Sequence, residues 1–94
     1  MKKLVEVEYV GIEDIQEIID DAYDIMKHTR HHISISISNT NSGSVLINVY
    51  IMLDGFKEKK LYDYNYMFEL DDSETSVDMM KSCKNTLKNL LAED

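Results

Sequence analysis

Residues 12–26 carry the strongest folding signal in the chain, because their apolar side chains recur at steps of three and four residues. That spacing places them along one stripe of an α-helix. The stripe consists of Ile12, Ile15, Ile18, Ile19, Ala22, Ile25 and Met26. The same stretch contains no Lys or Arg, and its acidic residues are Glu13, Asp14, Glu17, Asp20, Asp21 and Asp24. An angular plot places these acids on an arc opposite the apolar stripe.

Other segments have the two-residue alternation of β-strands. Residues 4–10 alternate Val and Glu, which predicts a half-buried first strand. Residues 31–38 place isoleucines on one face and serines on the other. Residues 44–53 are apolar on both faces, which suits a central strand. Asp54-Gly55 predicts a tight hairpin into a strand with four aromatic residues on one side, namely Tyr62, Tyr64, Tyr66 and Phe68.

The acidic stretch at residues 71–75 supplies capping candidates for a last helix that ends near residue 91. Its predicted apolar face is Met80, Cys83, Leu87, Leu90 and Leu91. The order β-α-β-β-β-α predicts an α+β fold, with an antiparallel sheet, both helices packed on one sheet face, and a single domain over residues 1–94. The first strand would join a sheet edge. The other sheet face would expose Ser34, Ser36, Ser38, Asn48, Tyr50 and Asp63.

Charge and composition exclude several functions. The net charge of -8 opposes direct binding to nucleic acids and to anionic membranes, since that affinity comes from Lys and Arg. No apolar run approaches the roughly 20 residues of a membrane span, and the single Cys83 cannot form an internal disulfide. The many residues with AT-rich codons indicate a low-GC bacterium or its phages. We therefore expect a cytoplasmic protein of a bacterial host cell, with a basic protein as its partner.

Catalytic and metal-binding signals are weak. His28, His31 and His32 cluster after the first helix, but no second group completes a closed metal site. Histidines near a helix C-terminus are also favoured by the helix dipole. Glycine is scarce, and spacing supports no Ser-His-Asp grouping. We expect a protein without cofactor or metal that is not an enzyme.

The acidic face of the first helix needs an explanation, because like charges three and four residues apart destabilise a helix. Each pair costs roughly 0.2–0.5 kcal/mol, so the set costs on the order of 1–3 kcal/mol. One interpretation is solubility. A second pairs the acids with Lys81, Lys84 and Lys88 of the last helix, although an arc that points away from the core argues against it.

A third interpretation is that the acids imitate a nucleic acid. Carboxylates at these steps recur every 5–6 Å or so, close to the separation of phosphates along one strand. A site built of Arg and Lys would accept such a track. The candidate partner-binding residues are Glu13, Asp14, Glu17, Asp20, Asp21, Asp24, Asp63, Glu69, Asp71, Asp72 and Glu74.

Two families share this organisation. Residues 12–91 resemble the double-stranded RNA-binding domain in the order of their elements. Where that family has a Lys cluster opening its second helix, this chain has Asp71, Asp72, Glu74 and Asp78, so RNA binding of that kind is not expected.

Most of the chain more closely resembles the small, acidic, phage-encoded anti-CRISPR proteins that inhibit Cas9, although the strand predicted at residues 4–10 departs from the simplest members. The shared features are a leading helix, a meander with the turns SNTNSGS and LDG, and an amphipathic helix that begins near SVDMM. The resemblance implies an inhibitor whose acidic residues occupy the groove that reads target DNA. The leading hypothesis is thus an acidic inhibitor that mimics DNA. The alternatives are an immunity protein against a basic toxin or nuclease, and an assembly protein that pairs through the edge at residues 33–38 or the tyrosine face.

Overall fold

The computed structural model describes residues 8–59, 61–72 and 75–93. Its elements in chain order are α1 (Ile12–His28), β1 (His32–Asn39), β2 (Val45–Met52), β3 (Tyr64–Glu69) and α2 (Thr75–Ala92). The strands form one antiparallel sheet in the order β1-β2-β3. The predicted α+β fold is therefore confirmed, and both helices, β1 and β2 lie within a few residues of their predicted bounds.

Strand register gives the sheet one apolar face. Ile35 of β1 lies opposite Val49 of β2, which in turn lies opposite Tyr66 of β3. The buried core on this face joins the sheet to both helices, and its largest side chains include Phe68, Ile18 and Leu87. Both helices therefore pack on one sheet face, as predicted. The opposite face pairs serines of β1 with Leu46, Asn48 and Tyr50, so its predicted polar residues on β1 and β2 are in place.

The segment before α1 was predicted to be a strand over residues 4–10. Residues 4–7 lie outside the described residues, and residues 8–10 are not part of the sheet. Val10 is nevertheless fully buried and hydrogen-bonded along its backbone. Its N–H donates to Asp72 O at 3.0 Å, and its carbonyl accepts the N–H of Asp71 at 2.8 Å. These bonds fasten the start of α1 beside the end of β3.

The tight hairpin predicted at Asp54-Gly55 is wrong. Both residues have positive φ, 64° and 108°, as such a turn requires. However, Ile51 pairs with Tyr64, so the connection spans residues 53–63. With a two-residue turn, the polar residues 57–60 would pair with β2. With the longer loop, the aromatic segment that begins at Tyr64 pairs with β2 instead. Asp63, directly before β3, closes the loop by accepting the N–H of Leu53 at 2.7 Å.

The four aromatic residues that were predicted on one side of the last strand do not share one environment. Tyr62 precedes the strand, and its ring lies 4.4 Å from that of Tyr50 on the opposite sheet face. Phe68 is buried, whereas Tyr64 is 40% exposed. Tyr66 is half-buried, and its hydroxyl hydrogen-bonds Thr86 of α2. Burial therefore decreases from the C-terminal end of β3 toward its start.

Candidate functional site

The rotation of α1 about its axis determines which of its acids face solvent. The buried side comprises Ile15, Ile18, Ala22 and Ile25, and it also includes Asp21, which is only 8% exposed. Because α1 packs beside α2 as well as over the sheet, one flank of its acidic arc faces the second helix. The expectation that the whole arc points away from the core is therefore wrong.

The acidic flank of α1 is paired with lysines of α2. The Lys84 ammonium lies 2.5 Å from Asp14 Oδ1 and 3.0 Å from Glu17 Oε2. Lys88 Nζ lies 2.8 Å from Asp21 Oδ2 and forms an ion pair with it. The interpretation that paired the acids with the last helix is correct for Asp14, Glu17 and Asp21. These three carboxylates join the helices together.

Asp14 has two structural partners. Its Oδ1 faces Lys84, and its Oδ2 accepts the N–H of Gly11 at 2.8 Å, which satisfies a backbone donor at the start of α1. Burial alone would raise the pKa of the Asp14 carboxyl, but the hydrogen bonds from Lys84 and Gly11 outweigh burial and lower it. Asp14 is thus an ionised cap and an interhelical link at once.

The same contacts shift the pKa values of the lysines on α2. Burial disfavours the charged form of Lys84, but its hydrogen bonds to Asp14 and Glu17 leave its pKa raised. Contact with the Asp21 carboxylate raises the pKa of Lys88. Lys81 pairs with Glu8 at 2.7 Å, but both side chains are more than half exposed, so this pair contributes little stability.

The three remaining acids of α1 are Glu13, Asp20 and Asp24, and we call them the carboxylate row. All three are exposed, and none has an ion-pair partner among the residues that the structure describes. Steps of seven and four residues separate them by rises of about 10 and 6 Å along one side of the helix. The row is therefore a line of free charge on the solvent side of α1, and it is the candidate site for a basic partner.

The other predicted partner-binding residues lie outside α1 in the chain. Asp63 lies in the loop at the start of β3. Asp72 accepts a hydrogen bond from the Ser76 hydroxyl at 2.7 Å, while Ser76 Oγ accepts the N–H of Glu69 at 3.2 Å, so this pair organises the entry to α2. Asp71 is exposed at the same end of the molecule, and Glu74 lies outside the described residues. The structure thus places Asp63 in the loop before β3, and Asp71 and Asp72 at the entry to α2, beside the N-terminal end of α1.

Two of the three histidines make local polar contacts. His31 Nδ1 accepts the N–H of Asp54 at 3.0 Å, and His28 Nδ1 lies 2.9 Å from the carbonyl of Asp24. Within residues 8–59, 61–72 and 75–93, no three His, Cys, Asp or Glu side chains are grouped to hold a metal ion. Cys83 is fully buried, and burial raises the pKa of its thiol to about 12, which disfavours the reactive thiolate.

A second surface, outside the residues predicted to bind a partner, lies on the other flank of α1. Ile19, Tyr23 and Met26 are 44%, 59% and 42% exposed, respectively, and they border an open groove above β1. We call this the α1–β1 groove; it has a volume of about 370 Å³ and is lined by Ile19, Ala22, Tyr23, Met26, Ile33, Ile35 and Ile37. The signal for it was present in the sequence, because the apolar arc of α1 is too wide for the sheet and α2 to cover.

Neither α1 nor α2, the two helices in the described part of the chain, is long and apolar enough to cross a membrane. Comparison of the chain with protein-family models, with curated proteins and with solved structures gave no match in any of the three.

Proposed function

We propose that the protein is an acidic inhibitor that occupies the basic nucleic-acid-binding surface of a target protein. The observation that carries the proposal is the carboxylate row, because its acids are exposed while their neighbours on α1 are tied to α2. A CRISPR-Cas effector is the first target to test, following the resemblance to anti-CRISPR proteins. The protein itself would not bind nucleic acid.

The contrast between the paired and the exposed acids of α1 supports this proposal. Asp14, Glu17 and Asp21 stabilise the helix pair, so their presence is explained by the fold. Asp20 and Asp24 are four residues apart and repel each other, which costs the helix free energy. Contact with Arg or Lys of a partner would relieve that repulsion and add charge-assisted hydrogen bonds. A basic surface is therefore the complement that the row fits best.

An immunity protein against a basic toxin or nuclease would use the same row, because the chemistry of recognition is identical. The two functions differ only in the target. Binding to a nuclease toxin, with none to a Cas effector, would favour the immunity function.

The test compares two variants of equal charge. The row variant combines Glu13→Gln, Asp20→Asn and Asp24→Asn, and the control combines Glu58→Gln, Asp78→Asn and Glu93→Gln, which are exposed acids elsewhere. Affinity for a purified Cas9–guide RNA complex would be measured at several salt concentrations, with and without competing target DNA. We expect the wild type and the control to bind, to weaken steeply with salt and to compete with DNA, and the row variant to lose at least tenfold in affinity. Equal losses in both variants would reject a specific role for the row.

A further inference from the structure

The outer edge of β1 presents unpaired backbone groups. Thr40 N–H donates to Ser44 O at 2.8 Å, which identifies residues 40 and 44 as a hydrogen-bonded pair. Such pairs alternate along an antiparallel ladder, so the even-numbered residues of β1 bond to β2. The N–H and C=O groups of Ile33, Ile35 and Ile37 therefore point away from β2. In the described part of the chain no strand pairs with them.

This edge lacks the features that protect sheet edges from pairing. Residues 33–39 contain no Lys, no Pro and no other ionisable side chain. Their register with β2 runs without interruption, so no bulge bends the edge away. The strand is eight residues long, which is ample for pairing with another strand. An uncharged edge is notable in a chain with a net charge of -8.

The α1–β1 groove lies directly beside this edge. Ile37 is 57% exposed on the same sheet face that α1 covers only in part. The exposed side chains of Tyr23 and Met26 line the groove on its helix side. Apolar surface therefore continues from α1 to the edge of the sheet. An added strand would extend the sheet and cover part of the groove in one step.

We propose that this surface is an isologous interface between two copies of the chain, in which β1 pairs antiparallel with β1 of the second copy. A two-fold axis perpendicular to the sheet keeps the helices of both copies on the same side. The isoleucine faces of both edge strands then join into one apolar surface. The exposed flanks of the two α1 helices meet above that seam.

The distribution of charge favours a second copy over a basic partner at this surface. The residues lining the groove are all uncharged, so the groove provides no carboxylate for Lys or Arg of a basic partner. The carboxylate row lies on the solvent side of α1 and not in the groove lining. Two copies can therefore meet edge to edge without bringing their rows into the seam.

The exposed area is sufficient for a dimer of modest affinity. Four large side chains of the groove are each about half exposed, which amounts to roughly several hundred Å² of apolar surface per copy. Together with the paired backbones, two copies would bury on the order of 1,000 Å², near the lower limit for a specific interface. Backbone hydrogen bonds at the edge would provide the directionality.

Sedimentation velocity over a wide range of protein concentration tests the proposal. We expect a reversible dimer whose association is unchanged or strengthened by salt, since salt screens the repulsion between two acidic chains. Ile37→Lys should abolish the dimer, whereas Leu61→Lys should not, because Leu61 is 87% exposed outside the groove. Circular dichroism would verify that both variants fold. A monomer at every concentration, or equal effects of both variants, would overturn the proposal.

Hydrogen exchange on the unmodified protein gives an independent test. The amides of Ile33, Ile35 and Ile37 should gain protection as concentration rises, while those of Asn65 and Met67 in β3 should not change. Fast exchange of the three amides under conditions where the protein is dimeric would place the interface elsewhere and overturn the proposal. Because neither test involves the carboxylate row, the dimer and the inhibitor function can fail separately.

Discussion

Lys88 of α2 lies 2.8 Å from Asp21 of α1, and Asp21 is the most deeply buried acid in the described residues. The contact shows that part of the acidic face of α1 belongs to the joint between the helices. Lys84 reinforces the joint one turn away by reaching both Asp14 and Glu17. The carboxylates of α1 therefore divide into a structural set that faces α2 and a free set that faces solvent.

Removal of the bridging lysine should destabilise the fold. Lys84→Met leaves two carboxylates without their cation at a site where the Lys84 side chain is only 23% exposed. We expect the free energy of unfolding to fall by about 1–2 kcal/mol, the scale of hydrogen bonds to charged groups. Urea unfolding would measure the change. Lys81→Met is the control, since its pair with Glu8 is exposed; a loss as large as that of Lys84→Met would contradict the assignment.

Stability should depend on pH through Asp14. Because its pKa is lowered from 3.8 in the folded protein, the unfolded chain binds this proton more readily. The stabilisation is thus fully present above about pH 4 and is lost as pH falls through the lowered pKa. We expect the wild type to lose more unfolding free energy on acidification than Asp14→Asn does. Parallel pH profiles from urea unfolding would show that Asp14 has no such role.

Neutralising the solvent side of α1 should stabilise the helix. Asp20→Asn with Asp24→Asn removes a like-charge pair four residues apart without touching the lysines of α2. We expect unfolding free energy to rise by roughly 0.2–0.5 kcal/mol at low salt, and the gain to vanish at high salt. Thermal unfolding in low and high salt would test this. A clear loss of stability would mean that one of these acids has a structural partner.

Cys83 should be unreactive in the folded protein. Its thiol is fully buried, and its pKa of about 12 leaves very little thiolate near neutral pH. We expect iodoacetamide at pH 8 to label native protein much more slowly than protein in concentrated urea. Mass spectrometry would follow both reactions. Equal labelling rates would show that α2 opens readily or that the thiol is accessible.

The elements of the fold were predictable because each has its own hydrophobic period. The alternation of Ile and Ser in β1 and the helical spacing in α1 survive folding unchanged. The end of the loop before β3 was less predictable. Asp54 and Gly55 do adopt the backbone of a tight turn, but the pairing of β3 with β2 is set by long-range burial of Phe68 and Tyr66, which local turn chemistry does not reveal.

The candidate site was only partly predictable for a different reason. An angular plot shows that the acids of α1 share an arc, but it does not show how that arc is rotated relative to a second helix. Lys84 and Lys88 lie about 70 residues along the chain from their partners, so no local pattern links them. The rotation of α1 that buries Asp21 also exposes Ile19 and Tyr23. Both features therefore depend on the rotation angle of α1 about its own axis, which the sequence does not reveal.

The backbone bonds of Val10 to Asp71 and Asp72 have a consequence beyond anchoring. They bring the exposed Asp71 to the N-terminal end of α1, where the first turn carries Glu13, while Lys27 and Arg30 lie near the opposite end of that helix. Within α1, the acidic first turn and the basic last turn form a charge separation that opposes the dipole of the helix backbone. In the field of a basic surface, the acidic first turn would be attracted and the basic last turn repelled, so α1 would turn its N-terminal end toward that surface before contact.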